Sequence, residues 1–420
     1  MLRRRLQDLF PRTDQTARAD FVSATERRMP NLFMIWLLLS VLAPHQEVYK
    51  IFFHGVVSPA VLILLFSGRA RIRWRDPLLM TALILAAYSA ITTFIVGQGP
   101  ICGHIRAFRW SIETFFCLAA FYLWLPSVLA RPDHWGRRFL MFALIGAAGG
   151  LLLFATGLVQ GRVTGLGALH NPIQASSILL IYLAIGHFLV FVRPQASPDK
   201  SAVRVMVAAT TAVALFVLMS QSRAPIGVLL IYLVYLAFQV LTGRNRVIAG
   251  LVLLGGIGLV AGVIECVYGM DHYKDLLLER GLSLRLLIWK GYLMCLPDSL
   301  LLGFGAGTDP AYLEAAREFW IPAGGEIYDH AHNLWLGTLA RNGLIGLGLL
   351  LGIAGLLFKN AITNPATRRE RVGLIMILGL VFMLTLTGSH TLIISIKALW
   401  LFGWLPLLFV WFYGKKGSTQ

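Results

Sequence analysis

A histidine and two glycines stand at fixed distances at the head of a long apolar run. His332 and Asn333 are followed by nine residues, then Gly343, two more residues and Gly346. In a continuous helix, about 100° per residue would return both glycines to within roughly 40° of the stripe that carries His332. Glycines let a neighbouring helix approach closely, and an imidazole accepts a proton near neutral pH. The spacing predicts a positioned base at a membrane surface.

Three arginines lie in apolar surroundings where a charge is costly. Arg223 is the only Asp, Glu, Lys or Arg between positions 205 and 243, and Arg162 is the only one between 139 and 192. Arg285 has its nearest acid six residues back, whereas Arg280 has Glu279 beside it. The structural interpretation is snorkelling to lipid headgroups or pairing with distant carboxylates. The functional interpretation is binding of a polyanion such as a diphosphate, which suits the guanidinium fork.

Other polar residues have plainer interpretations beside the functional ones. His330 is a candidate assistant to His332, but a loop histidine is more often solvated. Arg341 projects about 180° from His332 on a continuous helix, which predicts a position near the interface. Arg106 and Arg109 are close in sequence to Glu113, which predicts a local ion pair at one helical turn and leaves a diphosphate role open.

The composition is that of a polytopic membrane protein. Hydrophobic residues make up 57% of the chain, charged residues only 14%, and the mean hydropathy is +0.72. A soluble core of 420 residues could not bury so much apolar surface. Runs long enough to cross a hydrocarbon core of about 30 Å predict twelve spans, near 30–45, 48–67, 77–97, 111–130, 139–159, 173–192, 205–221, 225–242, 247–267, 333–358, 372–388 and 392–413.

The positions of the basic residues predict the orientation. When both termini are placed inside, every inside loop carries at least two Lys or Arg, as the positive-inside rule requires. The net charge of +17 is therefore explained by topology and anionic membrane lipids, and no nucleic-acid partner is expected. His390 and Lys397 are expected to anchor the outer end of the last span. The predicted divisions are an inside arm at 1–29, spans at 30–267, an outer segment at 268–332, spans at 333–413 and an inside tail at 414–420.

The long outer segment is expected to be functional, because a mere connection needs only a few residues. Helical spacing of apolar residues predicts an amphipathic helix between Ser283 and Leu296. A loop with three glycines follows, and it is not a dinucleotide-binding fingerprint because no strand precedes it. The four cysteines show no metal-binding spacing, although Cys102 and Cys295 could meet on the outer side. These glycines and cysteines are Gly303, Gly305, Gly307, Cys102, Cys117, Cys266 and Cys295.

The histidine motif resembles the signature of bacterial O-antigen ligases, in which His is followed by Asn, Ser or Gln, nine residues, Gly, two residues and Gly, Thr or Tyr. Further landmarks of the ligase and polymerase superfamily precede it in the usual order, over roughly residues 160 to 350. These landmarks are Arg162 with Gly165, Asn171-Pro172, Ser222-Arg223, Arg285 with Trp289 and the glycines at 303–307. The N-terminal spans match the family only in hydropathy.

The resemblance implies an all-α, GT-C-like membrane glycosyltransferase of the bacterial inner membrane, with cytoplasmic termini and a periplasmic active site. Its donor would be O-antigen polysaccharide on undecaprenyl diphosphate, and its acceptor a sugar hydroxyl of lipid A-core. No metal, cofactor or nucleotide sugar is expected, and the anomeric carbon would be inverted. By motif, His332 would be the base or the acceptor-positioning residue, and Arg223 and Arg285 would bind the diphosphate. Arg162, Arg280 and Asn333 are further substrate-binding candidates.

Three alternatives remain open from the sequence. An O-antigen polymerase uses the same donor and a similar fold but extends another lipid-linked chain. A protein O-oligosaccharyltransferase usually carries additional C-terminal sequence. A secondary transporter would also have twelve spans, but its polar groups would lie near the bilayer midplane, whereas the candidates here collect at outer ends.

Overall fold

The computed structural model describes residues 28–68, 72–193, 198–240, 283–297, 300–320, 327–363 and 367–416, and single residues at 258, 262, 265 and 269. Within these ranges every regular element is a helix. The first eight helices are α1 (Arg28–Leu42), α2 (Gln46–Phe66), α3 (Pro77–Val96), α4 (Ile101–Ala130), α5 (Pro132–Ala155), α6 (Pro172–Val192), α7 (Lys200–Met219) and α8 (Arg223–Val240). The others are α9 (Ser283–Met294), α10 (Glu314–Trp320), α11 (Leu334–Thr363), α12 (Arg368–Gly388) and α13 (Leu405–Lys416).

Eight helices among the described residues are long and apolar enough to cross a membrane: α2 to α7, α11 and α12. Two shorter apolar helices, α1 and α8, fall on further predicted spans. The predicted span at 247–267 lies outside the described ranges. An all-α polytopic membrane protein is therefore confirmed, while the count of twelve spans and the GT-C-like assignment stay predictions.

The helices begin where local chemistry caps them. Asp76 caps α3 by accepting hydrogen bonds from the N–H groups of Leu78 and Leu79, and Pro77 occupies the first helical position. Asn171 caps α6 in the same way ahead of Pro172. A capping side chain satisfies N–H groups that a helix start leaves without partners, and proline suits the first turn. These sequence features explain why α3 and α6 begin within one residue of the spans predicted at 77–97 and 173–192.

The predicted last span begins too early. Residues 389–398, here called the buried connector, are not helical, and the chain becomes helical only around the π-helical turn Trp400–Trp404 that precedes α13. The indole N–H of Trp404 donates to the carbonyl of Leu392 at 3.0 Å, and that of Trp400 donates to Ile394 at 3.1 Å. Side chains thus satisfy backbone groups of an apolar segment that hydropathy cannot distinguish from a helix.

Helix α11 is broken at Gly343, which has φ 63° and ψ −165°. The break frees backbone groups that pair with the segment at 300–305. Leu344 N–H donates to Leu300 at 2.8 Å, and Phe304 N–H donates to the carbonyl of Ala340 at 2.9 Å. A β-carbon at Gly343 would lie 2.3 Å from the oxygen of Leu301. The prediction of a continuous helix over the histidine motif is therefore wrong, because distant backbone interrupts it.

The described residues 283–333 form a layer over one end of the helical bundle. Its own small core contains Ile288, Tyr292, Phe304, Trp320 and Ala331. Gly291 of α9 faces the indole of Trp320 so closely that a β-carbon would lie 2.3 Å from it. A helix predicted at 283–296 is confirmed as α9, but Leu286 and Leu293 of the predicted apolar face are exposed, and Ile288 and Tyr292 enter the core instead. This layer holds the residues before α11 in place.

Candidate active site

His332 lies in the turn before α11, and it has a left-handed backbone conformation with φ 48°. Asn333 follows as the helix cap, and its side-chain oxygen accepts hydrogen bonds from Trp335 N–H at 3.0 Å and Leu336 N–H at 3.1 Å. The predicted helical stripe through His332, Gly343 and Gly346 therefore does not exist. Regular helical geometry does not position this imidazole. The Asn333 cap and the left-handed turn at His332 position it instead.

The two glycines of the motif serve contacts other than helix packing. Gly343 accommodates the 301–303 backbone, as described above. A β-carbon at Gly346 would lie 2.2 Å from the β-carbon of Asn342 in the same broken helix. The prediction that they admit a neighbouring helix is wrong, because both glycines permit the irregular backbone of α11.

Two more histidines lie beside His332. The rings of His330 and His390 stack in parallel with centroids 3.9 Å apart, and the centroids of His330 and His332 are 6.3 Å apart at a steep angle. His390 comes from the buried connector and reaches this position because Gly337 of α11 has no side chain; a β-carbon there would be 2.3 Å from the His390 carbonyl oxygen. The sequence interpretation of His390 as an outer anchor missed this contact, and no signal in the sequence links it to His330.

The pKa of each of these three imidazoles is lowered, which favours the neutral form. Burial and the nearby Arg341 lower the pKa of His330 to about 4. Burial, His330 and Arg341 together hold the pKa of His390 well below its ordinary value. His332 is exposed at its edge, but burial of its ring and then the charge of Arg285 lower its pKa. A neutral imidazole is the form that accepts a proton.

The proton position on His330 follows from its partner. Its Nδ1 lies 2.7 Å from the carbonyl oxygen of Asp329. A carbonyl only accepts hydrogen bonds, so Nδ1 of the neutral ring carries the proton and Nε2 is the acceptor. His330 is therefore an oriented neighbour of His332, and the structure brings the two together as the sequence suggested.

Arg285 lies on α9, the helix that contacts the residue before His332. Trp289, one turn after Arg285 on the same helix, donates its indole N–H to the carbonyl of Ala331 at 3.0 Å. This bond ties the helix to the residue immediately before His332. Burial and the neighbouring Arg223 lower the pKa of Arg285. Arg285 is therefore within electrostatic range of both Arg223 and His332.

Arg223 opens α8, directly after a turn in which Gln221 has φ 52°. Its Nη2 atom is buried and has no hydrogen-bond partner among the described residues. Arg162 holds this turn: its Nε donates to the carbonyl of Ser220 at 2.8 Å and its Nη2 donates to the hydroxyl of Ser222 at 2.8 Å. Arg162 therefore supports the turn that presents Arg223, a role that the sequence did not reveal.

Arg341 is buried, not at an interface as predicted. Its Nη1 donates to the carbonyl of Ala306 at 2.8 Å and its Nη2 donates to that of Asp329 at 2.7 Å. The helix break and the covering layer enclose it, so the helical-wheel argument failed with the helix. Arg341 fixes the loop that carries His330 and supplies a permanent positive charge behind the histidines.

The remaining sequence candidates have varied outcomes. Arg280 lies outside the described residues. The predicted pair of Arg109 and Glu113 is confirmed at 3.1 Å. Cys102 and Cys295 are free thiols and do not form a disulfide. Among the described residues, no group of three or more His, Cys, Asp or Glu is arranged to hold a metal ion.

Comparisons with known proteins agree with this picture. Residues 207–351, which include Arg223, Arg285, His332 and both motif glycines, match the family model described as O-antigen ligase. The chain is also 24% identical over 367 residues to an O-antigen ligase of Pseudomonas aeruginosa, a match that covers 86% of this chain and 84% of that protein. Both matches agree with the resemblance drawn from the histidine motif, and they show that the chain is similar to O-antigen ligases.

Proposed function

We propose that the protein transfers O-antigen polysaccharide from undecaprenyl diphosphate to a sugar hydroxyl of lipid A-core, at the periplasmic face of the bacterial inner membrane. The family supplies the reaction class, and both substrates are lipids that a polytopic membrane enzyme meets in the bilayer. The observation that carries the proposal is that the helix of Arg285 is tied to the residue before His332 through the bond from Trp289 to Ala331, with the buried, unpartnered Nη2 of Arg223 in electrostatic range of Arg285.

Arg223 and Arg285 form the donor site in this proposal. Two guanidinium groups repel each other, and burial of Arg285 adds a cost that an anion between them would offset. The buried Nη2 of Arg223 lacks a partner among the described residues and is available to a phosphate oxygen. A diphosphate offers several oxygens that two guanidinium forks bind in pairs. Asn333 uses its side-chain oxygen as a helix cap, so only its amide N–H groups remain for substrate.

His332 is the base. The acceptor hydroxyl oxygen attacks the anomeric carbon of the donor sugar while the hydroxyl proton passes to the neutral imidazole. The bond between that carbon and the diphosphate oxygen breaks, and its electron pair leaves with undecaprenyl diphosphate. Arg223 and Arg285 stabilise the charge that develops on the leaving group. A single displacement of this kind inverts the anomeric carbon, and it requires no metal.

A ligase-null Gram-negative strain with matched donor and acceptor provides the test. A lipopolysaccharide gel should show a ladder of long chains on the core with the native protein and none with His332→Ala, although that variant is folded and inserted. His170→Ala is the matched control, because His170 is an exposed histidine in the turn before α6. Near-normal product from His332→Ala would refute the base assignment.

The same test separates ligase from polymerase. If the native protein is correctly inserted but produces no ladder, expression in a polymerase-null strain decides whether the chain extends lipid-linked polymer instead. Addition of a metal chelator to a purified reaction checks metal independence, since the proposed step should proceed unchanged.

A further inference from the structure

A buried carboxylate joins three segments at the end of the bundle that carries the histidines. Glu113 of α4 accepts a hydrogen bond from the backbone N–H of Ile396 in the buried connector at 3.0 Å. It also pairs with Arg109 at 3.1 Å and lies 3.9 Å from Nε2 of His54 in α2. These contacts bring α2, α4 and the connector together.

Basic residues outnumber acidic ones around this junction. The cation cluster consists of Lys50 of α2, Arg106 and Arg109 of α4, and Lys397 of the connector. Lys50 pairs with Glu47 at 2.6 Å, and Arg109 with Glu113. Among the described residues no carboxylate lies within 4.0 Å of Arg106 or Lys397. Lys397 is within electrostatic range of Lys50 and Arg106 and, with a smaller effect, of Glu113 and Glu47.

Two cations of the cluster are exposed, Arg106 and Lys397. Next to the cluster in the chain, Ile51 beside Lys50 is 66% accessible and Ile105 beside Arg106 is 57% accessible. Bare cations among apolar, outward-facing side chains are costly in a bilayer unless an anion meets them. The positive-inside rule does not explain them either, because they lie at the outer end of the predicted topology. The ligand they fit is the anionic headgroup of a lipid.

The cluster is linked to the histidines but separate from the donor arginines. Lys397 and His390 belong to the same buried connector and are seven residues apart, so their α-carbons are at most about 25 Å apart. His390 stacks on His330, which neighbours His332. Arg285 acts on His332 from α9, and Arg223 acts on Arg285 from α8. A lipid headgroup on the cluster would therefore approach the base from another side than the donor does.

We propose that the cation cluster binds a phosphate group of the lipid acceptor and so places its sugar hydroxyl toward His332. This inference rests on the proposed function, because lipid A-core is the acceptor of a ligase, whereas a polymerase extends a second lipid-linked chain. Lysine and arginine side chains bind phosphate through charge-assisted hydrogen bonds, each stronger than a neutral one. Two unpaired cations are expected to contribute about tenfold or more to acceptor affinity.

Direct binding tests the site without reference to turnover. Purified protein in neutral detergent is titrated with lipid A-core that retains its phosphates, with the same lipid after removal of its phosphates, and with phosphatidylglycerol. The native protein should prefer the phosphorylated acceptor about tenfold over both other lipids. Arg106→Gln/Lys397→Gln should lose this preference and leave the affinity for the dephosphorylated lipid unchanged.

A matched control removes two charges elsewhere. Arg75→Gln/Arg317→Gln neutralises two exposed arginines outside the cluster and should retain the preference. Lys397→Arg, which keeps the charge, should also retain it and excludes a folding defect as the cause. An unchanged preference in the Arg106→Gln/Lys397→Gln variant would overturn the proposal, and so would equal binding of phosphatidylglycerol.

Kinetics separates this site from the proposed function. In a purified transfer reaction the Arg106→Gln/Lys397→Gln variant should raise KM for the acceptor about tenfold and leave KM for the lipid-linked donor unchanged. A native protein without transfer activity would refute the proposed function while the binding titration still reports on the cluster. A rise in donor KM alone would overturn the assignment to the acceptor.

Discussion

Gly343→Ala should destabilise the protein strongly through the break in α11. Residue 343 has φ 63° and ψ −165°, a region that is essentially restricted to glycine. A β-carbon there would lie 2.3 Å from the carbonyl oxygen of Leu301, and that contact involves backbone that no rotamer change relieves. The 300–305 segment must therefore move away from the break.

The magnitude follows from two contributions. A residue other than glycine in this backbone region costs about 1–3 kcal/mol. Displacing the 300–305 segment weakens the bonds from Leu344 N–H to Leu300 and from Phe304 N–H to Ala340, each of which contributes roughly 0.5–1.5 kcal/mol. Together they give about 2–6 kcal/mol, a large share of the stability of a typical domain.

Titration with SDS in mixed micelles, followed by circular dichroism, measures the free energy of unfolding. Gly348→Ala is the matched control, because a β-carbon at Gly348 of the same helix meets nothing within 4 Å. Alanine is the better helix former, so this control should be neutral or stabilised by up to about 1 kcal/mol. Equal stability of Gly343→Ala and the native protein would refute the helix break and restore the continuous helix.

Two substitutions test the donor site. Arg223→Lys should lower kcat/KM for the lipid-linked donor about tenfold or more, because lysine keeps the charge but loses the bidentate fork; native turnover would indicate a plain charge role. Arg162→Gln removes the hydrogen bonds to the Ser220 carbonyl and the Ser222 hydroxyl. Because Arg162 acts through the position of Arg223, this variant should raise the donor KM several-fold, while kcat and the acceptor KM change little. A variant that is folded and has an unchanged donor KM would contradict this positioning role.

The sequence was most informative about elements whose determinants are local. Apolar length and capping residues such as Asp76 and Asn171 located most helices within a few residues. Isolated arginines in apolar context also predicted a shared site, and Arg223 and Arg285 lie within electrostatic range of each other, while their role in binding stays a prediction. In both cases a local cost, either unsatisfied backbone or an unpaired charge, must be met wherever the residue lies.

The errors arose where distant segments decide the structure. The break at Gly343 is stabilised by the 300–305 segment, and the buried connector by two indoles of the π-helical turn before α13, so neither follows from its own residues alone. The dipeptide Asn342-Gly343, a typical turn sequence within an apolar run, was the one available warning. The helical-wheel positions of Arg341 and His332 failed with the helix on which they were based.

The electrostatics of the site couple donor binding to the strength of the base. Burial and the charge of Arg285 lower the pKa of His332 in the free protein. A bound diphosphate would neutralise Arg285 and Arg223, remove part of that repulsion and raise the pKa of the imidazole toward its ordinary value. A base with a higher pKa accepts the acceptor proton more readily, so His332 becomes a stronger base only when the donor is in place.

This coupling predicts two different pH profiles. Neutral His332 is the active form, so activity is present above its pKa and is lost as the pH falls through it. The acid limb of kcat/KM for the donor reports the enzyme without bound donor. It should lie below the ordinary imidazole pKa of about 6.5, because the pKa of His332 is depressed in that state. The acid limb of kcat reports the donor complex and should lie at higher pH than that of kcat/KM. Coincident limbs would show that the arginines and the base do not interact, and a kcat/KM limb above 6.5 would contradict the depressed pKa.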